Sequence, residues 1–276
     1  MKTQTVVSDV FQKKYVKYAG SWTWLRSGFE EEYDRLRSGD LLLESGPGEK
    51  IWNTKSKFTL KVDDGRRTVV FKTYRKMREV HYMFHISPLA FEAVNYGRLE
   101  QMGFPMAKLL AVGDTRKCFL CKSGFLMTEF VENSCDGRVF MPGGARAADK
   151  ALRDDFCRAH LKWLAKLHDA GMFHRAFAPA NLLWRFGKDG KTLEPIWIDV
   201  ASCRKKSPLA LLKLIPQDPA NLFALLGLTR QEAREMLAFY YDCLTRKRMP
   251  FERLEKACYE EMDKKTEKIK NMKLPQ

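Results

Sequence analysis

The sequence predicts an α+β chain of two lobes, the first rich in β-strands and the second mainly helical. Three observations carry that expectation. FTLKV (58–62) and TVVFKTY (68–74) are short β-rich runs separated by Asp63-Asp64-Gly65-Arg66, a strong hairpin signal. VENSCDGRVFMPGGARAADK (131–150) is a loop rich in glycine and turn formers, and the composition changes there. From Ser207 to the end the pattern is helical, apart from a turn near Pro250. The lobes are therefore expected at 1–131 and 132–276, with the boundary near Glu132.

The elements follow in order. After the first hairpin, SPLAFEAVNYGRLEQMG (87–103) reads as a helix, with Ser87 as its cap and Pro88 in its first turn. Leu89, Val94 and Leu99 recur at helical intervals, and Gly103 with Pro105 ends the run. AKLLAVGD (107–114) and GFLMTEFV (124–131) read as strands. DKALRDDFCRAHLKWLAKLHDAG (149–171) is a long helix with Leu152, Phe156, Trp163, Leu164 and Leu167 toward one side and Gly171 as its stop. EPIWIDVASCR (194–204) contains a buried strand, and ERLEKACYEEMDKKTEKIKNMK is a charged amphipathic helix.

Composition bounds the rest. The chain has 276 residues, 45% hydrophobic and 12% aromatic, enough for one large domain or two coupled lobes. Collagen-like, coiled-coil and disordered readings fail on these values. No run of about eighteen apolar residues is present. The N-terminal MKTQTVVSDVFQKKYVKYAG has no apolar signal core, so a cytoplasmic protein is expected, able to touch a membrane surface. The net charge of +15 implies an anionic partner: nucleic acid, a phosphorylated glycolipid or an acidic membrane face. The cations are dispersed over small clusters (Lys13, Lys14, Lys17, Arg66, Arg67, Arg75, Lys76, Arg204, Lys205, Lys206, Arg246, Lys247, Arg248), each read as solvated surface. The seven scattered cysteines fit reduced thiols, and the lone Cys118-x-x-Cys121 lacks the second ligand pair of a zinc site.

The candidate chemistry is phosphoryl transfer, which needs few parts. They are a lysine on the nucleotide phosphates, a glutamate fixing it, metal ligands, and a base that orients the acceptor hydroxyl. Lys72 lies on a strand after apolar residues, and Glu92 lies on the next helix, with Glu100 and Glu129 as further acidic candidates. Met127-Thr128-Glu129-Phe130-Val131 closes the last strand of the first lobe; it is either a plain core strand or, in a kinase-like fold, the segment whose backbone meets adenine, with Glu129 and Val131 as its contacts. His174-Arg175-Ala176, followed by Asn181, matches H-R-D-x-x-x-x-N in spacing, with Ala176 at the position of the expected Asp base. Asp199 ends an apolar strand eighteen positions after Asn181, so both can hold metal. Ser45-Gly46-Pro47-Gly48 reads as a turn, and Asn53, Thr54, Lys55 and Ser56 are an alternative phosphate-facing loop.

With these residues assembled, the chain resembles the bacterial lipopolysaccharide kinase family, the Kdo kinases and core heptose kinases. The resemblance rests on VVFKTYRK (69–76), FEAVNYGRLEQMGFP (91–105), WLAKLHDAGMFHR (163–175), PANLLW (179–184) and WIDV (197–200), within residues 50 to 205. It implies a protein-kinase-like fold, ATP and Mg2+ as cofactors, and a sugar of the lipopolysaccharide inner core as acceptor. That acceptor would be met at the cytoplasmic face of the inner membrane. Lys72 would contact phosphates, Glu92 would position it, and Asn181 and Asp199 would hold metal. Ala176 departs from the family, and Val200-Ala201 stands where Phe-Gly usually follows the metal-binding Asp. Four readings compete: the sugar kinase; a catalytically impaired pseudokinase acting as nucleotide-binding or scaffold protein; a small-molecule or protein kinase; and a nucleic-acid binder. The last lacks any recognisable motif, so no specific nucleic acid is expected.

Overall fold

The computed structural model describes residues 22–43, 45–74, 87–117, 120–187, 189 and 192–273. Lys13, Lys14, Lys17, Arg75, Lys76 and Cys118 lie outside them. The chain divides into two units, Met1–Glu132 and Asn133–Gln276.

The first unit is built on an antiparallel sheet of β1 (Trp22–Leu25), β2 (Glu49–Asn53), β3 (Lys57–Asp63), β4 (Thr68–Tyr74), β5 (Leu109–Lys117) and β6 (Leu120–Glu129). Their spatial order is β1-β5-β6-β4-β3-β2. The β3–β4 turn follows from its sequence. Asp63 and Asp64 accept backbone N–H groups of Gly65, Arg66 and Arg67 at 2.9 Å. Gly65 takes φ +79°, which a residue without Cβ adopts at little cost. Two helices join the sheet, α1 (Glu30–Ser38) and α2 (Pro88–Gln101). Tyr33 and Leu36 of α1 pack with Phe58, Leu60, Val62, Val69 and Phe71. Strand alternation then sends Lys72 to the opposite face from Phe71. Helix α2 starts as its sequence predicts, with the Ser87 side chain accepting from the Ala90 N–H and Pro88 in the first turn.

The second unit opens with β7 (Cys135–Asp136) and a short 3-10 turn (Gly137–Phe140), and α3 (Lys150–Asp169) follows. Phe156, Leu164 and Leu167 of α3 are buried, whereas Leu152 and Trp163 are half-buried, with Lys166 over the Trp163 ring at 4.7 Å. Gly171 (φ +78°) ends the helix. Then come β8 (Met172–Phe173), a 3-10 turn at Pro179–Asn181, β9 (Leu182–Phe186), β10 (Leu193–Trp197) and β11 (Arg204–Lys205). β9 pairs with both β10 and β7, and β11 pairs with β8. Helices α4 (Pro208–Leu214), α5 (Gln217–Leu226), α6 (Arg230–Cys243) and α7 (Phe251–Lys273) complete the chain. Pro208–Leu226 is long and apolar enough to cross a membrane, yet half of its apolar window is buried within the protein.

β1, α1 and β2 have weak sequence signals. α1 reads EEEYDRLRS and buries only Tyr33 and Leu36, while β2 is exposed along its whole length. Neither carries the apolar periodicity that marks an element in sequence.

Candidate active site

In the first unit the strand–helix pairing holds one ion pair. Lys72 sits on β4 between Thr59 of β3 and Leu126 of β6. Its Nζ lies 2.9 Å from Glu92 Oε2 and 3.2 Å from Oε1. The Glu92 side chain is 2% exposed and that of Lys72 is 15%. A carboxylate so buried is tolerable because a cation faces it. The register chooses Glu92 over its neighbours: Glu100 pairs with Arg26 at 2.8 Å on the surface. Glu129 is exposed, and its backbone N–H donates to Lys108.

Helix α2 is locked in place at its start. The Ser87 hydroxyl donates to Asp114 Oδ1 on β5 at 2.6 Å, and Asp114 Oδ2 lies 3.3 Å from Arg116 Nη2. All three residues are buried. One serine therefore caps the helix and ties it to the sheet, which sets the height of Glu92 against Lys72. β6 stops at Glu129, so Phe130 and Val131 lie beyond the strand, and the Phe130 N–H donates to the Thr68 carbonyl at 3.1 Å. Asn53–Ser56 forms the β2–β3 turn, closed by the Thr54 N–H donating to the Lys57 carbonyl at 2.8 Å.

The second unit gathers Ala176, Asn181 and Asp199. Asn181 directly precedes β9, and Asp199 follows β10 by two residues. The pairing of Leu182 with Trp197 brings both to one end of the hairpin. The Ile198 N–H donates to the Asn181 carbonyl at 3.1 Å and closes that end. Asn181 Nδ2 donates to the Ala176 carbonyl at 3.0 Å, which ties the loop to the hairpin and commits the amide nitrogen inward. Asp199 adopts a left-handed conformation (φ +52°, ψ +54°), uncommon for a residue with a side chain. Arg175 does the same at φ +64°. Such outliers concentrate at functional sites.

A buried polar set, invisible in the local sequence pattern, supports this loop. Asp218 Oδ2 accepts the backbone N–H of His174 at 2.8 Å and lies 3.1 Å from His168 Nε2. His168 Nδ1 lies 2.5 Å from the Tyr240 hydroxyl. Both ring nitrogens of His168 are thus engaged, Nε2 by the Asp218 carboxylate and Nδ1 by the Tyr240 hydroxyl. Asn221 Nδ2 adds a bond to the Phe177 carbonyl at 2.9 Å. His174 is fully buried between Phe177 and Trp197, and its Nδ1 accepts from the Ala176 N–H at 3.3 Å. Burial lowers the His174 pKa, against the opposing charges of Asp218 and Asp199, so the ring is neutral.

Asp169, which ends α3, accepts from the Thr245 N–H and hydroxyl at 2.8 Å and from the Arg246 N–H at 3.0 Å. It is a cap for another segment, so it is not available to replace the base missing at Ala176.

A divalent cation fits the donor set. Asn181 and Asp199 offer an amide oxygen and a carboxylate, hard oxygen ligands of the kind Mg2+ takes alongside water and substrate phosphates. No group of three or more His, Cys, Asp or Glu among the described residues could hold a metal alone. Cys121 is a buried thiol whose pKa burial raises to about 12, the behaviour of an inert core cysteine.

Residues 71–240 match the family model described as Lipopolysaccharide kinase (Kdo/WaaP) family. No curated protein sequence matches the chain. A solved structure titled WaaP in complex with acyl carrier protein shares the fold with a TM-score of 0.61 at 18% identity, covering 90% of this chain and 99% of that one. The β-rich first unit and helical second unit are thus those of a protein-kinase-like fold.

Proposed function

Because the chain belongs to the lipopolysaccharide kinase (Kdo/WaaP) family, we propose that it moves the γ-phosphoryl group of ATP to a hydroxyl of an inner-core sugar, Kdo or heptose. The acceptor is met at the cytoplasmic face of the inner membrane. The observation that carries the reading is the Lys72–Glu92 pair at 2.9 Å, the part of the machinery whose burial demands a purpose. Lys72 binds phosphate oxygens, and Glu92 keeps its ammonium aimed. The backbone of Glu129 and Val131 receives adenine. Asn181 and Asp199 hold Mg2+, which supplies neutralisation of phosphate charge when bound.

In the transfer the bond from the β–γ bridging oxygen to the γ-phosphorus breaks and the sugar oxygen–phosphorus bond forms. ADP leaves, and the hydroxyl proton passes to water or to a phosphate oxygen, since Ala176 has no group to accept it. Phosphoryl transfer asks little covalent chemistry of the protein and much positioning. A missing general base then slows the step by about 10² to 10⁴ rather than abolishing it. The same position supports a second reading, a pseudokinase that binds nucleotide as a scaffold, favoured by the commitment of Asp169 to capping.

The experiment is transfer of labelled γ-phosphate to purified, under-phosphorylated lipopolysaccharide by this chain and by Ala176→Asp. Slow transfer by the chain, raised by the substitution, supports the kinase. Nucleotide binding without transfer by either protein supports the scaffold.

A further inference from the structure

We propose that Trp52 is a nucleotide-binding residue, its indole packing on the ribose and phosphates of the ATP that Lys72 holds. The inference rests on the kinase reading above.

Strand register places this side chain. Trp52 of β2 pairs with Thr59 of β3, Thr59 pairs with Lys72 of β4, and Lys72 pairs with Leu126 of β6. Directly opposite residues share a face of a sheet, so Trp52 stands on the Lys72 face, in one row with it. Two strand spacings separate them, roughly 10 Å. The other face is the core, where Phe58, Leu60 and Phe71 pack with Tyr33 and Leu36 of α1.

A bulge makes this placement. The register passes from Lys50–Leu60 to Trp52–Thr59, so Ile51 is an extra residue on β2. Without it Trp52 would pair with Phe58 and turn to the core face, because a shift of one residue exchanges the faces. Bulges re-aim side chains in this way, and they concentrate beside active sites. The β2–β3 turn follows directly. The Thr54 hydroxyl closes it, donating to the Lys57 carbonyl at 3.1 Å and accepting the Lys57 N–H at 3.2 Å.

The fold does not occupy the side chain so placed. Trp52 is 54% exposed, and among the described residues its indole makes no hydrogen bond or ring contact. Helix α2, which brings Glu92 to Lys72, packs on β5 and β6, toward the other end of the sheet from β2. An indole offers an apolar face to the C–H groups of a ribose and one N–H donor to a phosphate oxygen. A nucleotide whose phosphates meet Lys72 lies against this same face.

The test uses the full chain with ATP and Mg2+, measuring affinity by calorimetry together with tryptophan emission. Loss of one aromatic contact predicts roughly tenfold weaker ATP binding for Trp52→Ala, while Trp52→Phe keeps the affinity to within about threefold. Leu43, beyond α1, is 50% exposed and serves as the control, and Leu43→Ala leaves the affinity unchanged. All three variants keep Tm within about 2 °C of the parent chain, since exposed positions carry little of the stability. The chain holds six tryptophans, so the emission of Trp52 is read as the difference between the parent and Trp52→Phe. ATP shifts that emission to shorter wavelength as the indole leaves water.

Equal ATP affinity in Trp52→Ala and Leu43→Ala would overturn the assignment, as would an ATP-induced emission change that persists in Trp52→Phe. Phosphate transfer that continues alongside either result removes this inference alone. A Trp52 signal that responds to purified, under-phosphorylated lipopolysaccharide and not to ATP also overturns it, since the indole then belongs to the acceptor. A parent chain that binds no ATP removes the kinase reading and this inference together. ATP binding through Trp52 with no phosphate transfer leaves the inference standing and removes the kinase reading.

Discussion

At the scale of single residues, Lys72 and Glu92 form a unit in which neither member is neutral to remove. Glu92 is almost fully buried, so Lys72→Met takes away the ammonium that lies 2.9 Å from its carboxylate. Breaking a buried pair from one side costs about 3–5 kcal/mol. The expected result is a large drop in urea midpoint for Lys72→Met, with nucleotide affinity lost as well. The double variant Lys72→Met, Glu92→Gln recovers part of the stability but none of the nucleotide binding. Equal stability losses in the single and double variants would show that the pair is not coupled. The pairing of Lys72 with Glu92 could be expected from sequence because motif spacing reports chain order, and chain order survives folding. Asp218 could not. It reads as an ordinary acid in the first turn of a helix, and only the folded chain brings it to the His174 N–H, forty-four positions away.

At the scale of elements, α2 depends on one anchoring side chain. Ser87 caps α2 and also donates to the buried Asp114. Ser87→Ala loses a cap worth about 1 kcal/mol and leaves Asp114 short of a donor, adding roughly 1–3 kcal/mol. Because α2 carries Glu92, the expected outcome is a raised KM for ATP together with lower stability, seen in paired kinetics and denaturation. A stability loss with unchanged KM would mean that Ser87 holds the fold without aiming Glu92. Gly137 shows the limit of tolerance near the Ala176 loop. A Cβ there would meet Phe156 Cζ at 2.4 Å and the Pro179 carbonyl oxygen at 3.0 Å. Gly137→Ala must therefore displace the Phe156 ring and press on the 3-10 turn that holds Asn181, and thermal unfolding should fall by several degrees, consistent with about 1–3 kcal/mol of overpacking. The helices with strong apolar faces were legible in sequence. β2 was not, because an edge strand exposed on both faces leaves no alternation to read.

At the scale of the whole molecule, the buried histidines give the second unit a defined acid sensitivity. His160 is fully buried against Phe156, and burial pulls its pKa from 6.5 down to about 3, offset only in part by the Leu183 backbone. His174 is shifted in the same direction for the same reason. Unfolding returns both rings to water, where they bind protons near their ordinary pKa. Below pH 6.5 the unfolded chain therefore holds more protons than the folded one, and stability falls as pH falls. For His160 this is a slope of about 1.4 kcal/mol per pH unit, continuing until pH approaches its folded value near 3, and His174 adds to it in the same direction. Glu232 acts later. Burial would raise its pKa, but bonds from Thr229 and Arg153 outweigh that and hold it down to about 2. Its stabilisation is present above the ordinary carboxyl pKa of 4.5 and disappears as pH falls toward 2. Urea midpoints taken from pH 7.5 to 4.5 isolate the histidine contribution. His160→Phe, which keeps an aromatic in the same apolar site, should flatten the slope by about one proton's worth. An unchanged slope in that variant would place the acid sensitivity in other groups and leave His160 without a part in it.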